Sequence, residues 1–321
     1  MSARRLDFPA RWLNGPASSR RVAVIIGVAV TLLWATSVVL IRIGVSDEEI
    51  QPLGFAGTRF ALAGVVLLPL ALPAMRAVPS WQGSRPWLLA VAVYGVLLFG
   101  LAQVGFYLAL GEVEASTVGL FMGLAPVVTA LVALRNRQER PNALQVGGIV
   151  ILAAGVVIYF GLQLPPTGVT TGLLAAASIP IVVGGSAVLG RKVAVGSARY
   201  GGPASMTAIA VLFGAAATLA IALVLEGIPS FSPTAWLLIT WLALVNTALT
   251  YTLWAQSQRS LRAVESSVLG DLTVIGVALL GWIVLDERLS VEQVVGIVMA
   301  LCGVVIVQLA PVWWVRSRPH A

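Results

Sequence analysis

ERPNALQVGGIVILAAGVV, residues 139–157, and ERLSVEQVVGIVMALCGVV, residues 287–305, are two versions of one pattern. At a constant offset of 148 residues, Glu139 meets Glu287, Arg140 meets Arg288 and Gln145 meets Gln293. Gly148 likewise meets Gly296, and Gly155 meets Gly303. Self-similarity at a fixed offset is the mark of a chain built from two related halves. Each copy also announces a helix start. Asn142-x-x-Gln145 and Ser290-x-x-Gln293 read as capping boxes, in which side chains at the two ends of the first turn satisfy each other's orphan N–H groups. The Glu139-Arg140 and Glu287-Arg288 pairs read as structural turns, with an acid held near the positive end of the following helix.

The flanking sequence is lipid-soluble. Of 321 residues, 59% are hydrophobic and only 10% charged, against about 25% charged in soluble domains. A water-facing surface cannot be built from this inventory, so lipid is the main solvent and the bilayer the main partner. The single Cys302 excludes a disulfide framework, and the single His320 excludes a histidine metal triad. No metal site and no cofactor are implied. The net charge of +7 is scattered between apolar runs rather than gathered on one face, which excludes nucleic acid as a partner.

Crossing about 30 Å of hydrocarbon takes roughly 20 apolar residues in a helix. Runs of that kind cover 22–44, 52–75, 87–110, 115–134, 142–163, 170–190, 203–225, 234–256, 263–285 and 291–314. The expected fold is therefore an all-α integral membrane protein with ten transmembrane helices. Arginine and lysine gather at alternate turns, which puts them on one side of the membrane with only Arg42 and Arg288 on the other. With the N-terminus inside, Arg76, Arg85, Arg135, Arg137, Arg191, Lys192, Arg259 and Arg262 are all cytoplasmic, and the outer turns carry Glu112, Glu226 and Asp286 instead. Both termini are then cytoplasmic and the membrane is the cytoplasmic (inner) one. The organisation expected is a tail at 1–21, a first five-span repeat at 22–163, a second at 164–314 and a tail at 315–321. Five spans is an odd number, so Glu139-Arg140 lies inside and Glu287-Arg288 outside. The repeats are inverted, an arrangement common in secondary transporters.

Several short motifs then line up in order. They are Leu32–Gly44 (LLWATSVVLIRIG), Arg59-Phe60, Phe106-Tyr107-Leu108, Ala125-Pro126, Glu139-Arg140, Tyr251-Thr252-Leu253 and Asp286-Glu287-Arg288-Leu289. Across residues 22–310 the chain resembles the EamA-type branch of the drug/metabolite transporter superfamily. The resemblance implies a carrier of small metabolites, often amino acids or related compounds and frequently outward, with a central cavity between the repeats. The chain departs from the family where a Glu-Pro pair is usual in span 9. It has Thr273-Val274 there, with Asp271 two residues earlier.

Polar residues in the apolar runs are the candidate cavity. Trp34 and Ser37 share a face of span 1, Gln103 and Tyr107 of span 3, and Asn246, Tyr251 and Trp254 fall at helical spacings in span 8. Ser267 and Asp271 are four apart in span 9. A carboxylate at depth costs roughly 2.5–3.5 kcal/mol on insertion scales, so Asp271 needs a wet cavity, a proton or a partner. It is a candidate for an amine contact or proton coupling, and equally for a structural role. Arg59, equally deep, reads as snorkelling or bonding a helix end more readily than touching substrate. Pro126 and Pro180 each remove a helix hydrogen bond and are candidate kinks for gating.

The function expected is secondary transport of a small metabolite by alternating access, with export the favoured direction. The rival is a membrane scaffold or regulator without transport. An enzyme is not expected, because no nucleophile, metal or base motif occurs.

Overall fold

The computed structural model describes residues 20–45, 51–78, 80, 83–112, 115–160, 170–284 and 290–316. Glu287 and Arg288 lie outside the described residues. Among the described residues every regular element is a helix. They run α1 (Arg20–Val45), α2 (Pro52–Arg76), α3 (Arg85–Gly95), α4 (Ala102–Glu112), α5 (Ala115–Met122), α6 (Ala125–Ala133), α7 (Ala143–Phe160) and α8 (Thr171–Gly196). The series continues with α9 (Gly202–Leu225), α10 (Pro233–Ala243), α11 (Thr250–Gln258), α12 (Ala263–Gly270), α13 (Leu272–Val284) and α14 (Val291–Arg316). Within the described residues, seven continuous helical stretches are long and apolar enough to cross a membrane, and two more apolar stretches are shorter. Leu174, Leu237 and Ile283 stand exposed, as a lipid-facing surface requires.

The starts of these helices are written locally. Pro occupies the first turn of α2, α3, α6, α9 and α10, where its missing N–H is no loss. Both capping boxes are formed. Asn142 Oδ1 accepts from Gln145 N at 2.8 Å while Gln145 Oε1 accepts from Asn142 N at 3.0 Å. Ser290 and Gln293 do the same at 3.3 and 2.8 Å.

Several apolar runs are interrupted. A six-residue π-helix, Val96–Leu101, joins α3 to α4, and another, Leu244–Leu249, joins α10 to α11. The run at 115–134 breaks at Gly123-Leu124, between α5 and α6, and the run at 263–285 breaks at Asp271, between α12 and α13. Each interruption in the second half comes 148 residues after its counterpart in the first. The starts of α3 and α10, α4 and α11, α5 and α12, and α7 and α14 keep that same offset.

The chain packs as two compact units, one comprising Met1–Tyr107 with Leu189–Leu261 and the other Leu108–Val188 with Arg262–Ala321. Each draws on both sequence halves. In the first, α2 and α9 run antiparallel: a Cβ at Gly57 would stand 2.7 Å from Leu219 Cδ2, and one at Gly64 2.6 Å from Leu212 Cδ2. The adjoining π-helix packs on α9, and Thr218 Oγ1 donates to the Phe99 carbonyl at 2.6 Å. Phe60, Phe99 and Met206 fill the core. Glu226 ends α9 and caps α2, its carboxylate oxygens accepting from Leu53 N at 2.9 Å and Gly54 N at 2.8 Å.

In the second unit α7 and α14 cross at their glycines. A Cβ on Gly155 would meet Gly296 O at 2.6 Å, and one on Gly148 would meet Gly303 O at 2.9 Å. Backbones this close admit no side chain between them. Glu139 is buried and accepts from Ala263 N at 3.0 Å, and Glu265 Oε2 accepts from Arg262 N at 3.0 Å. Two carboxylates thus hold the positive end of α12. Arg140 Nε donates to the Leu134 carbonyl at 2.6 Å, closing the end of α6.

Candidate functional site

The first unit gathers most of the expected cavity residues. Trp34 of α1 packs its ring on Tyr251, with centroids 4.8 Å apart, and on Trp254, 5.0 Å apart. Its indole Nε1 donates to Thr250 Oγ1 at 3.0 Å, and that hydroxyl donates in turn to the Asn246 carbonyl at 2.7 Å. Asn246 lies on the second π-helix and donates through Nδ2 to Leu33 O and to Thr36 Oγ1 at 3.3 Å. Tyr251 meets Phe99 edge-on at 4.6 Å, and Phe99 meets Phe60 at 5.2 Å. A ribbon of rings therefore runs from α1 through α11 and the first π-helix to α2.

Polar atoms along this ribbon are buried and unsatisfied. Asn246 Oδ1, Thr247 Oγ1 and Arg59 Nε have no hydrogen-bond partner. Leaving such atoms unpaired costs about 1–3 kcal/mol each. Tyr107 packs on the same core and interacts electrostatically with Arg59. Gln103 is half-buried on α4. Ser37 donates to the Trp34 carbonyl at 2.7 Å within its own helix, so its hydroxyl is already spent.

Ser267 and Asp271 belong to the other unit. Ser267 accepts from Thr129 Oγ1 at 2.9 Å, and the same hydroxyl lies 3.2 Å from the Gly184 carbonyl. Thr129 joins α6, α8 and α12 at one point; its place one turn after Ala125-Pro126 was the only sign of it in the sequence. Asp271 occupies the helix break itself rather than a continuous span. It is buried, its Oδ2 lacks a hydrogen-bond partner, and it borders a cleft with Gly155, Tyr159, Gly296 and Ala300. Pro126 sits in the first turn of α6, where it costs no helix bond, because the break at Gly123-Leu124 precedes it. Pro180 is carried inside a continuous α8. Among the described residues no group of three or more His, Cys, Asp or Glu side chains converges to hold a metal.

The EamA-like transporter family matches residues 21–161 and again residues 170–309. The chain belongs to that family. This EamA chain is therefore a multi-pass membrane protein of a drug/metabolite transporter lineage whose members are transporters rather than enzymes. It is 33% identical over 148 residues to the aromatic amino acid exporter YddG of Escherichia coli, covering 44% of this chain and 47% of the exporter. It is 35% identical over 138 residues to a probable biotin transporter of Pseudomonas aeruginosa, covering 41% and 44%. Those two matches each span under half of the relative. Protein PecM of Dickeya dadantii aligns further, 26% identical over 79% of this chain and 86% of PecM. A solved crystal structure superposes with a TM-score of 0.73 at 22% identity, covering 91% of this chain and 99% of the other, and shares its fold.

Proposed function

We propose that this EamA chain moves a small amphipathic metabolite, an aromatic amino acid or a related compound, out across the cytoplasmic membrane by alternating access. One observation carries the reading: a ribbon of aromatic rings with buried, unpaired polar atoms, built on helices that carry π-helical segments at matching places in both halves. Such π segments within α-helices are frequent at functional sites. The exporter named above lends the substrate class, since its similarity falls on part of this chain.

Ten spans in two inverted repeats, with both termini cytoplasmic, complete the proposal. The glycine crossing supports the inversion. Moving each partner by 148 residues turns the Gly148–Gly303 contact into the Gly296–Gly155 contact, so the antiparallel pair is its own image under exchange of the halves. A two-fold relation between the repeats produces that pattern. Proton coupling through Asp271 is part of the proposal, motivated by a buried acid without a hydrogen-bond partner at a helix break.

The test is counterflow of labelled phenylalanine, tyrosine and tryptophan in proteoliposomes. Saturable, ring-dependent exchange is expected, and a scaffold without transport would give none. Orientation is checked separately in Cys302→Ser by labelling Arg140→Cys and Arg288→Cys with an impermeant reagent. Labelling of both from one side overturns the inverted repeat.

A further inference from the structure

We infer that Arg59 is the anchor for the carboxylate of the substrate, and that the site therefore selects aromatic and apolar monocarboxylates whether or not they carry an amino group. The inference rests on the transport reading above and deepens it.

Arg59 lies seven residues into α2, about 10 Å along the helix axis. It is 8% exposed, so its guanidinium is not drawn out to water. Its Nε is buried without a hydrogen-bond partner. Its nearest compensation is the face of Phe60, 4.5 Å from Cζ to the ring centroid. Glu226 is the only acid among the described residues of this unit, and both its oxygens are committed to the N–H groups of Leu53 and Gly54. Glu226 acts electrostatically on Tyr107 as Arg59 does but makes no ion pair with Arg59, and a buried cation without an ion-pair partner is costly in a protein interior. An arriving anion removes that cost, and a guanidinium fits a carboxylate two bonds at a time.

The surroundings define the rest of the ligand. Phe60, Phe99, Tyr251, Trp34 and Trp254 form a continuous run of ring contacts leading away from Arg59. Arg59 also interacts electrostatically with the phenols of Tyr107 and Tyr251. Such a run gives an aryl or alkyl body surface to stack on, with the charge fixed at one end. Glu226 is tied to the N-terminus of α2, and no second carboxylate among the described residues of this unit stands by to meet an ammonium group. The amino group of an amino acid is consequently a passenger here.

The experiment is calorimetric titration of the full chain in uncharged maltoside micelles, where no lipid phosphate competes. The probes are 3-phenylpropanoate, 3-phenylpropanamide and 3-phenylpropylamine. The acid is expected to bind at least tenfold more tightly than the amide, and the amine not at all. Arg59→Gln should remove the preference for acid over amide, and Arg59→Lys should keep part of it. If Arg59→Gln does not fold, the wild-type series still decides. Equal binding of acid and amide, or an acid preference that survives Arg59→Gln, overturns the anchor while leaving a working transporter. If no probe of any class binds the wild type and none exchanges in proteoliposomes, the transport reading falls and takes the anchor with it.

Discussion

Gly147 and Gly155 sit two turns apart on α7, and replacing each by alanine should move stability in opposite directions. At Gly155 the new Cβ would stand 2.6 Å from Ala300 N, 2.6 Å from Gly296 O and 3.0 Å from Met299 Cβ. Two of those atoms are backbone, so no rotamer change relieves the overlap. The crossing must open by about 0.8 Å to restore ordinary contact, and overpacking of this kind costs about 1–3 kcal/mol. At Gly147 no atom lies within 4 Å. Alanine there gains about 0.5–1 kcal/mol from better helix propensity and a less free unfolded chain. Thermal unfolding in maltoside, followed by tryptophan fluorescence, should place Gly155→Ala below the wild type and Gly147→Ala level with it or above. Gly296→Ala meets Gly155 O and Tyr159 N, both at 2.7 Å, and should match Gly155→Ala. The double variant should lose less than the two singles added together, because one widening of the crossing accommodates both methyls. Equal shifts for Gly147→Ala and Gly155→Ala would refute the close crossing of α7 and α14.

Three further outcomes are expected. Trp34→Ala removes two ring contacts and the bond to Thr250, and should lower stability in the same thermal assay by about 1–3 kcal/mol or more, at about 0.5–1.5 kcal/mol per aromatic pair; Trp34→Phe should lose less. Asp271→Asn should abolish the pH response of exchange in proteoliposomes; transport at the wild-type rate with an unchanged pH profile would eliminate proton coupling through this group. Glu226→Ala leaves the N–H groups of Leu53 and Gly54 uncapped, which should cost about 1–2 kcal/mol in the same thermal assay, with Glu226→Gln intermediate.

Helix boundaries were legible because they are set locally. The capping boxes at Asn142 and Ser290, and the prolines in first turns, act over three or four residues, and the apolar runs coincide with the helices to within about three positions except at the end of α8, which runs six residues past 190 to Gly196. The grouping of Trp34, Asn246, Tyr251 and Trp254 was legible too, since polar and aromatic residues in hydrocarbon must face inward. Of the interruptions, only the one beside Pro126 was foreshadowed. Val96–Leu101 is an uninterrupted apolar run, and nothing in its composition separates a π turn from an α turn; the bond that Thr218 of α9 gives the Phe99 carbonyl there comes from a residue 119 positions away. Asp271 was read as a point along a continuous helix, whereas the chain turns there. The position of Arg59 was visible, but how Glu226 is held, capping α2 instead of pairing with Arg59, depends on a contact more than 160 residues away in the chain.

The compact units differ from the sequence halves for a related reason. Similarity at an offset of 148 records how the chain is written, whereas contact records which faces fit. A glycine face is shallow and lacks side chains, so its best complement is another glycine face, and the nearest match to the face of α7 is its own copy on α14. Each half therefore gives up one such helix to pair with its counterpart, and a compact unit becomes a mixture of both halves. The same logic explains why interruptions come in matched pairs. A break that aims polar backbone or a carboxyl group at a cavity is tolerated in hydrocarbon only where protein or water covers it. Once the halves pair with each other, a shelter built for one copy is built for the other at the equivalent place. The copies then diverge in what they place there: the break that carries Gly123-Leu124 in the first half carries Asp271 in the second.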